Sequence, residues 1–143
     1  MSLEWQQRGD PMKRYVGGFV FVTLVACLVV AAQTDEPQLV SANIPFYPPL
    51  SRQARVYGSV TVAFTLPANS GEPTEVEAVS GHPMLKSAAV DNVKTWHFRN
   101  IYAVGRKYQT TFHYRISESE SQHVTFSSFN VVEVVASTPP PLD

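Results

Sequence analysis

The chain has 143 residues, 44% of them hydrophobic, with a formal net charge of −1 and a single cysteine. That length beyond the N-terminal run is enough for one core and too short for two. Near-neutral charge with no basic stretch among the aromatics argues against a nucleic-acid surface, and a lone cysteine excludes an intramolecular disulfide.

At the front, Lys13-Arg14 precede Val16–Ala32, an apolar run of 17 residues whose only ionisable group is Cys27. Basic residues before the run, with Asp35 and Glu36 after it, place residues 1–14 in the cytoplasm and send Gln33 onward across the membrane. As a helix the run rises ~25 Å, near the lower limit for crossing a bilayer. Val30-Ala31-Ala32 also suit a signal peptidase, with cleavage before Gln33. Residues 15–32 are therefore either a single transmembrane anchor or a signal peptide. Either way the expected location is the cell envelope, with the remainder anchored to the inner membrane or released into the periplasm. Leu24-Val25-Ala26-Cys27 is similar to a lipobox and makes Cys27 a lipidation candidate. The apolar residues that continue past it favour a cysteine buried in the membrane.

Residues 33–46 read as a linker, and its 14 residues reach at most ~50 Å when extended. A folded domain is expected over 47–120. Val60, Val62, Phe64 and Leu66 alternate with Thr61, Ala63 and Thr65, the period of a strand with one buried face. Ala68-Asn69-Ser70-Gly71 suits a tight turn. Glu75-Val76-Glu77-Ala78-Val79 then returns as a second strand with its carboxylates in water. After Gly81 the period lengthens. Leu85, Ala88, Ala89, Val93 and Trp96 mark one face of an amphipathic helix spanning Met84 to Phe98, with Pro83 in its first turn and Lys86, Asp91 and Lys94 on the wet side. Tyr108, Thr110, Phe112 and Tyr114 resume strand alternation, with Gln109, Thr111, His113 and Arg115 opposite. The expected fold is α+β, a two-layer β-β-α-β domain with one helix packed on a small antiparallel sheet. Residues 121–143 form an extension. His123–Phe126 and Phe129–Ala136 suit one or two further strands, ended by Thr138-Pro139-Pro140-Pro141.

Nothing in the chain asks for an active site, and no enzyme, cofactor or metal is expected. His82, His97, His113 and His123 lack metal-ligand spacing, and Ser80-Gly81-His82 lacks the glycines of a nucleophile elbow. Glu72, Glu75 and Glu77 fit a solvated strand face better than an acid/base pair.

The ordered set Tyr47-Pro48-Pro49-Leu50, Gly58–Leu66, Asn69-Ser70-Gly71, Val76–Pro83, Trp96-His97-Phe98 and Gly105–Tyr114 resembles the C-terminal domain of the TonB family, over roughly half the chain. The resemblance implies a periplasmic module that pairs an extended peptide to a sheet edge, the peptide being a short segment of an outer-membrane receptor. It makes the outer face of the third strand, at Gln109, Thr111 and His113, the expected partner-binding edge. Tyr47-Pro48 matches a pair that meets the receptor in the family; a staple onto the domain's own core accounts for Tyr47 equally well.

Two features depart from the family. Its energy transducers cross the periplasm on a long Pro-rich spacer, which 33–46 does not match, and Val16–Ala32 has no counterpart to the anchor histidine that contacts the motor. An alternative function follows, a single-span accessory subunit assembling a membrane complex. The tail is the second departure: it either covers the edge of the third strand within this chain or adds a strand to another protein.

Overall fold

The computed structural model describes residues 36–99 and 102–141. The expectations for residues 1–32, Cys27 included, lie outside the described residues. No helix among those described is long and apolar enough to cross a membrane.

The fold is α+β with a mixed sheet and two helices. In chain order the elements are β1 (Gln38–Ser41), α1 (Pro49–Gln53), β2 (Gly58–Leu66), β3 (Thr74–Ser80), α2 (Pro83–Val93), β4 (His97–Arg99), β5 (Arg106–Ser117), β6 (His123–Ser128) and β7 (Val131–Ser137). Five strands form the main sheet in the order β3-β2-β5-β7-β6, while β1 and β4 pair antiparallel as a small second sheet.

The expected alternation of β2 is realised in full. Val60, Val62, Phe64 and Leu66 are at most 2% exposed. Asn69, at φ 54, turns the chain after β2, and Gly71 follows where the backbone comes very close to β4. Phe98 donates its N–H to Gly71 O at 2.8 Å, and a Cβ on Gly71 would lie 1.9 Å from Phe98 O. Any side chain there would push the two segments apart, which is why the turn ends in glycine.

Helix α2 begins at His82, whose Nδ1 accepts from Met84 N–H at 3.2 Å, with Pro83 at the first helical position. It covers the β2–β3 half of the sheet's core face through Leu85, Ala88, Ala89 and Val93, all buried. The sequence expectation of a helix through Phe98 is corrected, because α2 stops at Val93. Thr95 and Trp96 donate their N–H groups three residues back, to Asn92 O and Val93 O at 2.9 and 3.0 Å, tightening the last turn as helix ends commonly do. Trp96 still falls on the buried side and is 0% exposed. Its Nε1 donates to Asn92 Oδ1 at 2.9 Å, and Asn92 Nδ2 donates to Asn43 O at 2.9 Å. One buried amide therefore ties the helix end, the indole and the chain entering the domain.

The segment expected as a linker also folds. Strand β1 lies within 33–46, and Pro37 and Pro45 are buried. Beyond α2 the core is aromatic. Trp96 touches Phe64, Phe98, Phe112 and Phe126 with ring centroids 5.9–6.2 Å apart, and Phe129 stands edge-on to Phe98 and Tyr108, 5.8 Å from each. Contacts of this geometry contribute beyond their buried area.

The strands of the expected β-β-α-β domain pair antiparallel, and the tail makes the sheet mixed at β7. The chain leaves β5 at Ser117, runs outward to β6, turns at Phe129-Asn130, and inserts β7 between β6 and β5. β7 pairs parallel with β5 from Thr111↔Val131 to Ser117↔Ser137, and β6 pairs antiparallel with β7. A parallel neighbour cannot be joined by a tight hairpin, so β6 forms part of the connection and becomes the outer strand.

Candidate strand-pairing edges

The partner-binding edge expected at Gln109, Thr111 and His113 is closed at Thr111 and His113. β5 has β2 on one side and β7 on the other: Thr111 lies opposite Thr61 and Val131, and His113 opposite Ser59 and Glu133. Thr111 donates its N–H to Asn130 O at 2.9 Å. The side chains are engaged across the sheet's back face, with His113 Nδ1 and Ser59 Oγ 2.8 Å apart and the Thr61 and Thr111 hydroxyls 3.3 Å apart. Gln109 lies opposite Ala63 and ahead of the point where β7 begins. Of the two uses open to the tail, cover within the chain is the one the structure shows.

Tyr47 is likewise no surface residue. It is 5% exposed, its ring stands edge-on to Tyr114 at 5.4 Å, and its hydroxyl donates to Val56 O. Burial pushes its pKa above the usual tyrosine value. Pro48 precedes α1, and its carbonyl accepts from Arg52 N–H at 3.0 Å. The pair shapes the entry to the domain.

The outermost strands of the main sheet are β3 and β6, and their chemistry differs. β3 carries Glu75 and Glu77, Glu75 has φ 50, and its pairing with β2 shifts register twice. Charges and bulges on an edge are the usual means of discouraging a further strand. β6 reads His123-Val124-Thr125-Phe126-Ser127-Ser128, with no Lys, Asp, Glu, Pro or Gly. Its backbone is paired only to β7. Beside it Phe126, 38% exposed, forms a shallow groove with Leu39, Val40, Ser41 and Ala42, and contact with Trp96 holds its ring at 6.2 Å.

The start of β6 is latched on the back face. Arg115 donates to Glu133 at 3.1 Å and to Glu120 at 3.0 Å, and these bonds, Glu120 first, raise its already high pKa. His123 Nε2 lies 3.9 Å from Glu120. The loop before β6 is thereby fastened to β5 and β7. Among the described residues no cluster of three His, Cys, Asp or Glu is placed to hold a metal.

The family model for the Gram-negative bacterial TonB protein C-terminal matches residues 43–117, more than half of the chain. This chain belongs to that family. Among solved structures it is similar to the C-terminal domain of TonB from Pseudomonas aeruginosa, determined in solution by NMR, with 22% identity over 57% of this chain and 87% of that one and a TM-score of 0.46. No curated protein matches. The TonB match ends at Ser117, the last residue of β5. Both the strand that closes β5 and the strand that supplies the new edge therefore lie outside the family's portion. Their sequence signal was the two stretches His123–Phe126 and Phe129–Ala136; the signal for β1 was faint, a run of four residues read as linker.

Proposed function

We propose that this TonB C-terminal domain is a non-catalytic protein-binding module of the bacterial envelope, periplasmic in placement, that captures an extended segment of another envelope protein by strand addition at β6. The observation that carries the reading is the bare outer edge of β6 beside the Phe126 groove. Backbone groups give such an edge its affinity, and the groove reads alternate side chains of the added strand. The unprotected chemistry of β6, set against the charged and bulged β3, supports this choice of edge.

Titration with synthetic peptides spanning a periplasm-facing segment of an outer-membrane receptor tests the reading, followed by amide hydrogen exchange. Protection of alternate amides of β6 is the expected result. Protection confined to β3, or none with any strand-forming peptide, overturns it.

The short connection supports a second reading, an accessory subunit of a membrane complex. With β1 starting at Gln38, only Gln33–Pro37 separate the apolar run from the fold, too few residues for a spacer across the periplasm. Under this reading the partner strand at β6 comes from a neighbouring subunit. Co-purification of intact membrane complexes distinguishes it from transport, since a transport role requires an outer-membrane receptor in the complex.

A further inference from the structure

A second surface is exposed, away from both strand edges. Along the chain entering the domain, Pro45 and Tyr47 turn inward, while Ile44 and Phe46 stand 79% and 56% exposed. Leu50 on α1 follows at 69%, and α1 is fastened to the start of α2 by the bond from Ser51 Oγ to Met84 O at 3.1 Å, where Met84 is also exposed. Large apolar side chains this open and this close in the chain mark an interaction surface.

Two observations name its occupant. The first is position. Gln38 follows the last residue of the apolar run, Ala32, by six residues, so the domain begins within ~20 Å of that run even when the chain between is fully extended. The second is charge. From Pro37 to Gly71 there is no Asp or Glu, and the only charges are Arg52 and Arg55. Arg55 is exposed in a groove shared with Glu118, and Arg52 is half-buried in one shared with Pro139, Pro140 and Pro141. Apolar side chains followed along the chain by arginines, at the end of a short tether from an apolar run, suit the boundary of a bilayer with anionic headgroups.

We propose that Ile44, Phe46 and Leu50 rest in the headgroup region of an anionic lipid surface, with Arg52 and Arg55 against its phosphates. The domain lies on the membrane in this arrangement, and β6 is a separate surface. The inference uses the expectation that Val16–Ala32 is lipid-embedded and does not depend on strand capture at β6.

The test uses the full chain with Cys27→Ser, reconstituted in vesicles of phosphatidylethanolamine and phosphatidylglycerol, and an environment-sensitive fluorophore on Phe46→Cys or, as control, on Glu77→Cys in β3. Both sites are exposed, so neither substitution should disturb folding. Emission at position 46 should shift to the blue and be quenched by nitroxide-labelled acyl chains, with position 77 unaffected. Adding Ile44→Ser and Leu50→Ser should reduce the quenching at 46 roughly 5-fold or more, since each removes an inserted apolar side chain. Replacing phosphatidylglycerol by phosphatidylcholine should weaken it less. Equal quenching at 46 and 77, or no shift at 46, overturns the proposal, including the case in which the N-terminal run is cleaved and the domain leaves the vesicle. A shift without nitroxide quenching that disappears as protein is diluted in lipid assigns the surface to a second copy of this chain and overturns it equally.

Discussion

β2 and β7 flank the same strand by opposite routes. β2 meets β5 antiparallel in unbroken register from Gly58↔Tyr114 to Leu66↔Arg106, inside the portion that matches the TonB family. β7 meets β5 parallel, arrives from outside that portion, and is as deeply buried: Val132, Val134, Val135 and Ala136 are at most 1% exposed. The family resemblance thus identifies the strand, while the tail decides whether that strand is open. A residue's role in pairing depends on what later chain lies against it.

Deleting residues 121–143 breaks the comparison most severely. It removes four buried side chains of β7 and uncovers Phe112 and Tyr114. At ~1.5–3 kcal/mol for each large apolar side chain, the loss is roughly 5 kcal/mol or more, comparable with the whole stability of a small domain. The truncated protein is expected to lose its cooperative thermal transition. If it melts like the intact chain, β7 is a removable cover, and the edge at Gln109, Thr111 and His113 becomes available again.

Trp96→Ala should follow in magnitude. The indole lies under both flanks, touching Phe64 of β2, Phe112 of β5 and Phe126 of β6, and its removal also leaves Asn92 Oδ1 without its donor. A loss of ~3–5 kcal/mol is expected from the cavity, read from urea-induced unfolding. An unchanged midpoint would mean that the core relies on helix α2 alone and that the β6–β7 half packs independently.

The difference between the flanks also explains what could be read from the sequence. Val60–Leu66, Glu75–Val79 and Tyr108–Tyr114 announce strands because each alternates over a half-buried surface, a local property of consecutive residues. The stripe from Leu85 to Trp96 announced the buried face correctly and overran the helix end, because Trp96 keeps the helical phase after the hydrogen bonds have changed. β1 and β4 are short and gain their pairing only from each other. The parallel placement of β7 rests on a contact between distant segments, and the apolar run Val131–Ala136 gives no direction or neighbour. The same gap misplaced the site: Thr111 and His113 have the outward phase that an edge strand would show, and the strand that covers them begins some twenty residues later.

Proline substitution sharpens the contrast between a closed strand and an open one. Thr111→Pro removes the donor to Asn130 O from a strand paired on both sides and should cost at least ~2 kcal/mol. Of the neighbours Val124 and Thr125 in β6, one directs its N–H outward because ladder bonds alternate. Proline there should lower stability by no more than ~1 kcal/mol and abolish peptide protection, whereas proline at the other breaks a bond to β7 and costs stability as well. Thermal melting of the three variants beside peptide titration reads both effects. Should all three lose stability alike, β6 is no free edge, and the proposed capture site fails with it.

Tyr114→Phe is the smallest change and probes whether the two flanks stay closed. Tyr114 sits mid-strand, opposite Gly58 on one side and Val134 on the other, and its hydroxyl is buried without a hydrogen-bond partner among the described residues. Burial, with Tyr47 beside it, pushes its pKa well above the usual tyrosine value. The folded state therefore holds the proton more tightly than the unfolded chain. Its contribution to stability is complete below the unfolded tyrosine pKa of ~10 and is lost as pH rises beyond that. Phenylalanine has no proton to lose, and removing an unsatisfied buried hydroxyl costs little. The variant should match the parent within ~1 kcal/mol at neutral pH and become the more stable of the two above pH ~10. The remaining decline above that pH comes partly from Tyr47, whose pKa is raised in the same direction. Parallel melting curves across the alkaline range would mean that Tyr114 ionises as freely folded as unfolded, so that water reaches the strand between β2 and β7 and the β7 flank opens in solution.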